Sequence, residues 1–182
     1  MLPELTPFAK QTGSEPPRFL ADGMLGRLAR WLRLLGYDTL YDRTSSDLEL
    51  ARRARGEGRI LLTRDRELAR RRGLRVLLIR STDLAEQLQE LERALGLSAT
   101  GVEGHTPQPR CSLCNLPLQR LRPAQAADRV PPYVMRTQRV FYCCPRCGRM
   151  YWSGTHVAAM RRQLRGLSRQ PGASVEHPPE GS

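Results

Sequence analysis

Between residues 18 and 97, short apolar runs alternate with longer amphipathic ones. The runs at 18–21, 37–41, 59–63 and 75–79 predict four strands, and the helical stretches between them make the sheet mostly parallel. Met24, Leu25, Leu28, Leu32 and Leu35 recur at helical spacing, and Gly36 is placed to cap that helix. A second helix is predicted from Asp47 to Arg55 with Ser45 or Ser46 as its N-cap, a third from Asp65 to Arg72, and a fourth from Asp83 to Leu95. Gly73 and Gly96 close the last two. Strand and helix in strict alternation predict an α/β sandwich whose ligands gather at the carboxyl ends of the strands.

Outside that segment the pattern changes. Residues 1–17 and 166–182 are rich in Pro, Gly, Ser and Glu and read as disordered tails. Residues 98–109 read as a linker, and 110–165 as a small cysteine-bearing module that ends in a helix. No apolar run approaches the roughly 20 residues of a membrane helix, so a soluble chain without a membrane partner is expected. The formal charge is +12. Residues 18–97 carry 17 arginines against 12 acids, whereas 98–165 carry 11 against two. The second module is therefore the more basic per residue, as a nucleic-acid contact surface would be.

That module holds all five cysteines. Cys111, Cys114, Cys144 and Cys147 form two C-x-x-C pairs, each followed by a turn residue, Asn115 or Gly148. The spacing predicts four thiolates on one structural Zn²⁺, with the 29 intervening residues as a long hairpin arm of a zinc ribbon. Cys143 is left over. A disulfide framework is the alternative. With no apolar stretch in residues 1–11 to suggest a secretion signal, a reducing cytoplasm is the expected location.

The α/β segment offers carboxylates instead. Asp22 directly follows the first strand and Asp65 lies two residues after the third, on the same edge of a parallel sheet. Asp47 opens the intervening helix, and Glu67 follows Asp65. Such a cluster requires a hard cation, Mg²⁺ or Mn²⁺, and suits in-line attack of a water on a phosphodiester. Asp47 and Asp65 are equally suited to capping their helices. A haloacid-dehalogenase-like phosphatase would need Asp where Met24 stands, and a receiver domain or P-loop would need a core lysine, whereas Lys10 in the tail is the only one. No G-x-G-x-x-G turn is present, and His105, His156 and His177 lie outside the α/β segment.

The stretch from Phe19-Leu20-Ala21-Asp22-Gly23-Met24 to Leu35-Gly36-Tyr37-Asp38, with Ile60-Leu61-Leu62-Thr63-Arg64-Asp65, resembles the Mut-seven C-terminal RNase family. So do Arg110-Cys111, Cys114-Asn115, Val130-Pro131-Pro132, Phe141-Tyr142, Cys144-Pro145, Cys147-Gly148 and Tyr151-Trp152 with Gly154 and His156. The resemblance covers roughly residues 18–165. It implies a PIN-like three-layer α/β/α domain followed by a zinc ribbon, and a metal-dependent ribonuclease with its acidic positions on Asp22, Asp47 and Asp65 and a fourth on Glu67.

Arg27, Arg30 and Arg33, at three-residue steps along the first helix, are expected to guide an RNA backbone towards Asp22, and Arg64 to stabilise transition-state charge. The alternative for the helix arginines is a solvated face. Tyr133, Phe141, Tyr142, Tyr151 and Trp152 offer surfaces for stacking bases, although in so small a module some of them must be core, and His156 is either a further RNA contact or structural. Two functions follow: a ribonuclease whose ribbon grips RNA, or a non-catalytic RNA-binding or ribosome-associated adaptor that uses the basic ribbon.

Overall fold

The computed structural model of the chain describes residues 15–96 and 108–152. The C-terminal helix expected after residue 152, His156, most of the linker and nearly all of both tails fall outside these residues.

The α/β module is built as β1 (Phe19–Ala21), α1 (Gly26–Leu34), β2 (Thr39–Tyr41), α2 (Asp47–Gly56), β3 (Ile60–Thr63), α3 (Arg66–Ala69), β4 (Val76–Leu78) and α4 (Leu84–Leu95). The sheet order is β2-β1-β3-β4, and every neighbouring pair is parallel. Register explains why the apolar runs are continuous. Phe19 sits opposite Ile60 and Leu20 opposite Leu61, so successive residues feed opposite faces. Phe19, Ala21, Ile60 and Leu62 pack with Leu28 and Leu32 of α1 and Leu88 and Leu91 of α4. Leu20 and Leu61 pack against Leu50 and Ala54 of α2 and Leu68 of α3. The result is three layers, α/β/α.

The third helix is shorter than its predicted span of 65–72. Leu68 is its one buried side chain, and Arg70, Arg71 and Arg72 are exposed. With no further apolar residue to bury, the chain turns at Gly73 (φ 71°) and sends Leu74 back to the core.

The second module holds β5 (Gln119–Leu121), α5 (Pro123–Ala126), α6 (Pro132–Thr137), β6 (Phe141–Cys143) and β7 (Met150–Trp152), its strands antiparallel in the order β5-β6-β7. The arm between the cysteine pairs does return as a hairpin, β5 against β6, but its tip is helical. Pro123 and Pro132 each occupy a first helical turn, where the missing N–H costs nothing. Ala126, Val130, Val134 and Phe141 give the arm its own small core, with Trp152 packed against it. Residues 108 and 109, assigned above to the linker, join this module: the Leu118 N–H donates to the Pro109 carbonyl at 2.9 Å.

The two modules are joined through Arg33 and Asn115. Arg33 is buried at 7% exposure. Its Nε donates to the Thr39 carbonyl at 2.8 Å and its Nη1 to the carbonyls of Ser112 (2.8 Å) and Leu113 (3.2 Å). Asn115 accepts from the Thr39 N–H at 3.1 Å and donates to Asp38 Oδ1 at 2.7 Å. Asp38 in turn pairs with Arg59, whose Nη1 also donates to the Phe19 carbonyl. These groups all lie at the amino ends of β1, β2 and β3. The first cysteine knuckle is thus seated on the edge opposite the strand-end carboxylates, about 13 Å away along a four-residue step.

Replacing Arg33 with Met keeps the stem and removes three charge-assisted hydrogen bonds, one to the buried Thr39 carbonyl and two to the part-buried carbonyls of Ser112 and Leu113. The expected cost is about 2–4 kcal/mol, or a melting temperature lower by roughly 5–15 °C. Thermal unfolding followed by circular dichroism reads this, and an unchanged midpoint would show the contact to be idle.

Burial opposes the charge on Asp38, but hydrogen bonds from Arg59 and Asn115 and the Arg59 charge outweigh it and hold its pKa below the ordinary carboxylate value. A lowered folded-state pKa contributes stability that is complete above the unfolded value of about 3.9 and is lost as pH falls through the folded one. The Asp38→Asn protein should therefore melt lower at neutral pH and lose less stability than the parent below about pH 4. Parallel acid titrations of the two melting temperatures test this.

Candidate active site and metal centre

The sheet order places a topological switch between β1 and β3, where successive connections leave in opposite directions and the carboxyl ends of the strands open a crevice. Asp22 follows β1 and Arg64-Asp65 follow β3, so all three flank it. Asp22 is 6% exposed. Its Oδ1 accepts from the Met24 N–H at 2.9 Å, and its Oδ2 accepts from the Thr63 hydroxyl and the Arg64 N–H. Thr63 Oγ1 accepts from the Asp65 N–H at 2.9 Å. Thr63, buried at the end of β3, therefore links the two acidic residues.

The capping alternatives resolve differently for the other two aspartates. Asp65 is the N-cap of α3, its Oδ1 accepting from the Glu67 and Leu68 N–H groups at 2.6 and 3.2 Å. Asp47 is not a cap. Ser46 caps α2 in a reciprocal box with Glu49, which leaves the half-buried Asp47 carboxylate with no hydrogen bond or ion pair among the described residues. Glu67 is exposed on the first turn of α3.

Sequence reasoning passed over Asp42, which follows β2 just as Asp22 follows β1. That position was the available signal. Its oxygens accept from Thr44 and Ser45, and Arg53 lies 3.6 Å away, so it closes its own loop; the bond from the Ser45 N–H leads in lowering its pKa. Tyr41 braces the loop after Asp22, its hydroxyl donating to the Gly23 carbonyl at 3.1 Å. A Cβ at Gly26 would lie 2.6 Å from that hydroxyl, which is why the start of α1 carries no side chain.

Among the described residues the four thiols are the one group of three or more potential ligands that converges. Asp22, Asp47, Asp65 and Glu67 do not assemble into such a group, because Asp22 and Asp65 turn oxygens to neighbouring N–H and O–H donors.

The basic ridge is broken. Arg27 and Arg30 are exposed as expected, but Arg33 is turned inward to hold the cysteine knuckle, which removes it from any RNA surface. Arg64 is half-buried, and its Nε is buried without a hydrogen-bond partner among the described residues. Such an orphaned donor costs about 1–3 kcal/mol unless a ligand accepts from it. Phe141 is wholly buried and offers no stacking face, and Trp152 is half-buried with one side packed against the arm core. Tyr133, 60% exposed, is the aromatic ring most open to solvent among the described residues.

At the metal centre the sulfurs of Cys111, Cys114, Cys144 and Cys147 all lie within 4.8 Å of one another, with 3.7 Å between Cys111 and Cys147. A tetrahedron of Zn–S bonds of about 2.3 Å has edges of about 3.8 Å, so the four cysteines could hold a metal such as zinc. Asn115 (φ 60°) and Gly148 (φ 69°) close the two knuckles, donating to the carbonyls of Cys111 and Cys144. Burial pushes the Cys111 thiol up, but the Tyr151 hydroxyl and the amides of Cys114 and Leu113 outweigh it and bring it to about 6. Cys114 is pushed up to about 12, first by Cys147. A cation is what would let the remaining sulfurs ionise together. Tyr151, bonded to Cys111 Sγ and Ser112, is spent on this centre rather than on stacking. Cys143 stands outside it, its sulfur 3.1 Å from Arg129 Nη2.

The Mut7-C RNAse domain family matches residues 17–164 of the chain. No curated protein and no solved structure matches.

Proposed function

Because the chain belongs to the Mut7-C RNAse domain family, we propose that it is a metal-dependent ribonuclease that hydrolyses RNA phosphodiester bonds at the β1/β3 switch point. The observation that carries this reading is the Asp22–Thr63–Asp65 link beside an Arg64 donor that lacks a partner among the described residues. Mg²⁺ retains several waters and needs only one or two carboxylates beside the substrate phosphate, so a linked pair suits it better than a closed cage. Asp22 and Asp65 would hold the ion; Asp47 at the start of α2 and Glu67 on the first turn of α3 are the two further acids, and they do not converge with that pair. When bound, Mg²⁺ or Mn²⁺ would supply hydroxide near neutral pH and stabilise the leaving oxygen.

The protein's own part is positioning and charge. Thr63 fixes the Asp22 carboxylate, Arg64 offers a donor to a phosphate oxygen, and the exposed Arg27 and Arg30 flank the approach along α1. A zinc thiolate centre belongs to a reducing compartment such as the cytoplasm.

Labelled single-stranded RNA incubated with the full chain should be cut in Mn²⁺ and left intact in EDTA. RNA that is bound but never cut would favour the adaptor reading, for which the unassembled carboxylates are the supporting observation.

A further inference from the structure

We propose that Arg120, Arg122 and Arg139 form a seat for the phosphodiester backbone of single-stranded RNA at the open edge of the ribbon sheet. The proposal rests on RNA being the partner, as argued above, and assigns where the ribbon holds it.

β5 is the edge strand of its sheet. Leu121 faces Phe141 in the arm core, so strand alternation turns Arg120 and Arg122 to the other side. Arg139 arrives two residues before Phe141, beside the end of β5. The three arginines, with Leu121 and Pro123, line an open cavity of about 320 Å³. All three are exposed, and none has an ion-pair partner among the described residues. Asp128 is the only acid between residues 108 and 152, so this stretch of the ribbon supplies almost nothing to neutralise them.

Three guanidiniums around one hollow repel each other until an anion enters. Their planar forks match phosphate oxygens in a way a lysine cluster would not. Tyr133, exposed on the helix that leads to Arg139, is available to stack an unpaired base, which favours a single strand.

The test is fluorescence anisotropy of a labelled 12-nucleotide RNA titrated with the full chain, without Mg²⁺ or Mn²⁺, across a salt series. Arg120→Gln/Arg122→Gln/Arg139→Gln is compared with Arg66→Gln/Arg70→Gln/Arg71→Gln, an equal charge change on exposed positions of the α/β module. The ribbon variant should bind at least about tenfold more weakly, and its salt slope should fall by about 2, three phosphate contacts at about 0.7 each. Arg139→Gln alone should lower the slope by about 0.7. Zinc content equal to the parent shows that the fold survives, and equal competition by a DNA strand of the same length assigns the contact to phosphate alone. Equal losses in both triple variants, or an unchanged slope, would overturn the seat while RNA cleavage by the parent chain in Mn²⁺ still stands. Failure of the parent to bind RNA at all would remove both.

Discussion

Asp22→Asn is expected to lower RNA cleavage in Mn²⁺ by at least about a hundredfold, the scale on which metal sites lose activity even when only a supporting contact is removed. The charge at this position is what a divalent ion would meet at the switch point, and Asn removes it while keeping the shape. The local hydrogen bonds make a second demand. Asp22 accepts from Met24 on one oxygen and from Thr63 and Arg64 on the other, whereas Asn has a single acceptor oxygen. Whichever way the amide is turned, one backbone N–H, that of Met24 or that of Arg64, faces its NH2 group and loses its acceptor, so a stability loss of about 1–3 kcal/mol should accompany the change. Measuring cleavage well below the variant's melting temperature separates the two effects. Asp65→Asn retains an oxygen for the Glu67 and Leu68 N–H groups and should lose activity with little stability. Full cleavage by either variant would remove the carboxylates from the reaction.

Withdrawal of zinc should have the largest structural effect. The thiol-side cluster of the ribbon consists of Cys111, Leu118 and Cys144 with a few half-buried neighbours, too little apolar surface to order two knuckles unaided. Structural zinc contributes on the order of 10–16 kcal/mol to the folding of modules this small. Chelation should therefore unfold the ribbon and release Arg33 and Asn115 from their partners, so the α/β module should also melt lower, by an amount similar to that of Arg33→Met. Metal analysis should give one zinc per chain, lost in Cys111→Ser and Cys144→Ser but retained in Cys143→Ser, whose sulfur faces Arg129. A Cys143→Ser protein that lost zinc as readily as Cys111→Ser would contradict the four-thiol centre.

Arg33 and Asp47 show where reading the chain reaches its limit. Along α1 the arginines at 27, 30 and 33 look alike, since helical spacing distinguishes only which face a residue occupies. Arg33 is buried because the first cysteine knuckle, nearly 80 residues later, places two carbonyls against it. For Asp47 the choice between cap and free carboxylate turned on whether Ser46 or its neighbour took the capping role, a matter of one residue of register at the start of α2. Which of the ribbon's aromatic rings are core is hidden from the sequence for the same reason as Arg33: exposure is a property of what packs opposite.

The sequence by itself determined the alternation of strands and helices, the strand-end position of Asp22 and the two cysteine knuckles with Asn115 and Gly148. Each of these depends on neighbours a few residues away, through apolar period, ligand spacing or a left-handed turn. Tertiary structure alone decided the strand order that sets β1 beside β3, the Thr63 link between Asp22 and Asp65, the helical tip of the ribbon arm, and the docking of its first knuckle on the far edge of the sheet. Those features are contacts between segments distant in the chain. Local periodicity carries no record of which segment will meet which, because that choice is made by burying whole faces at once.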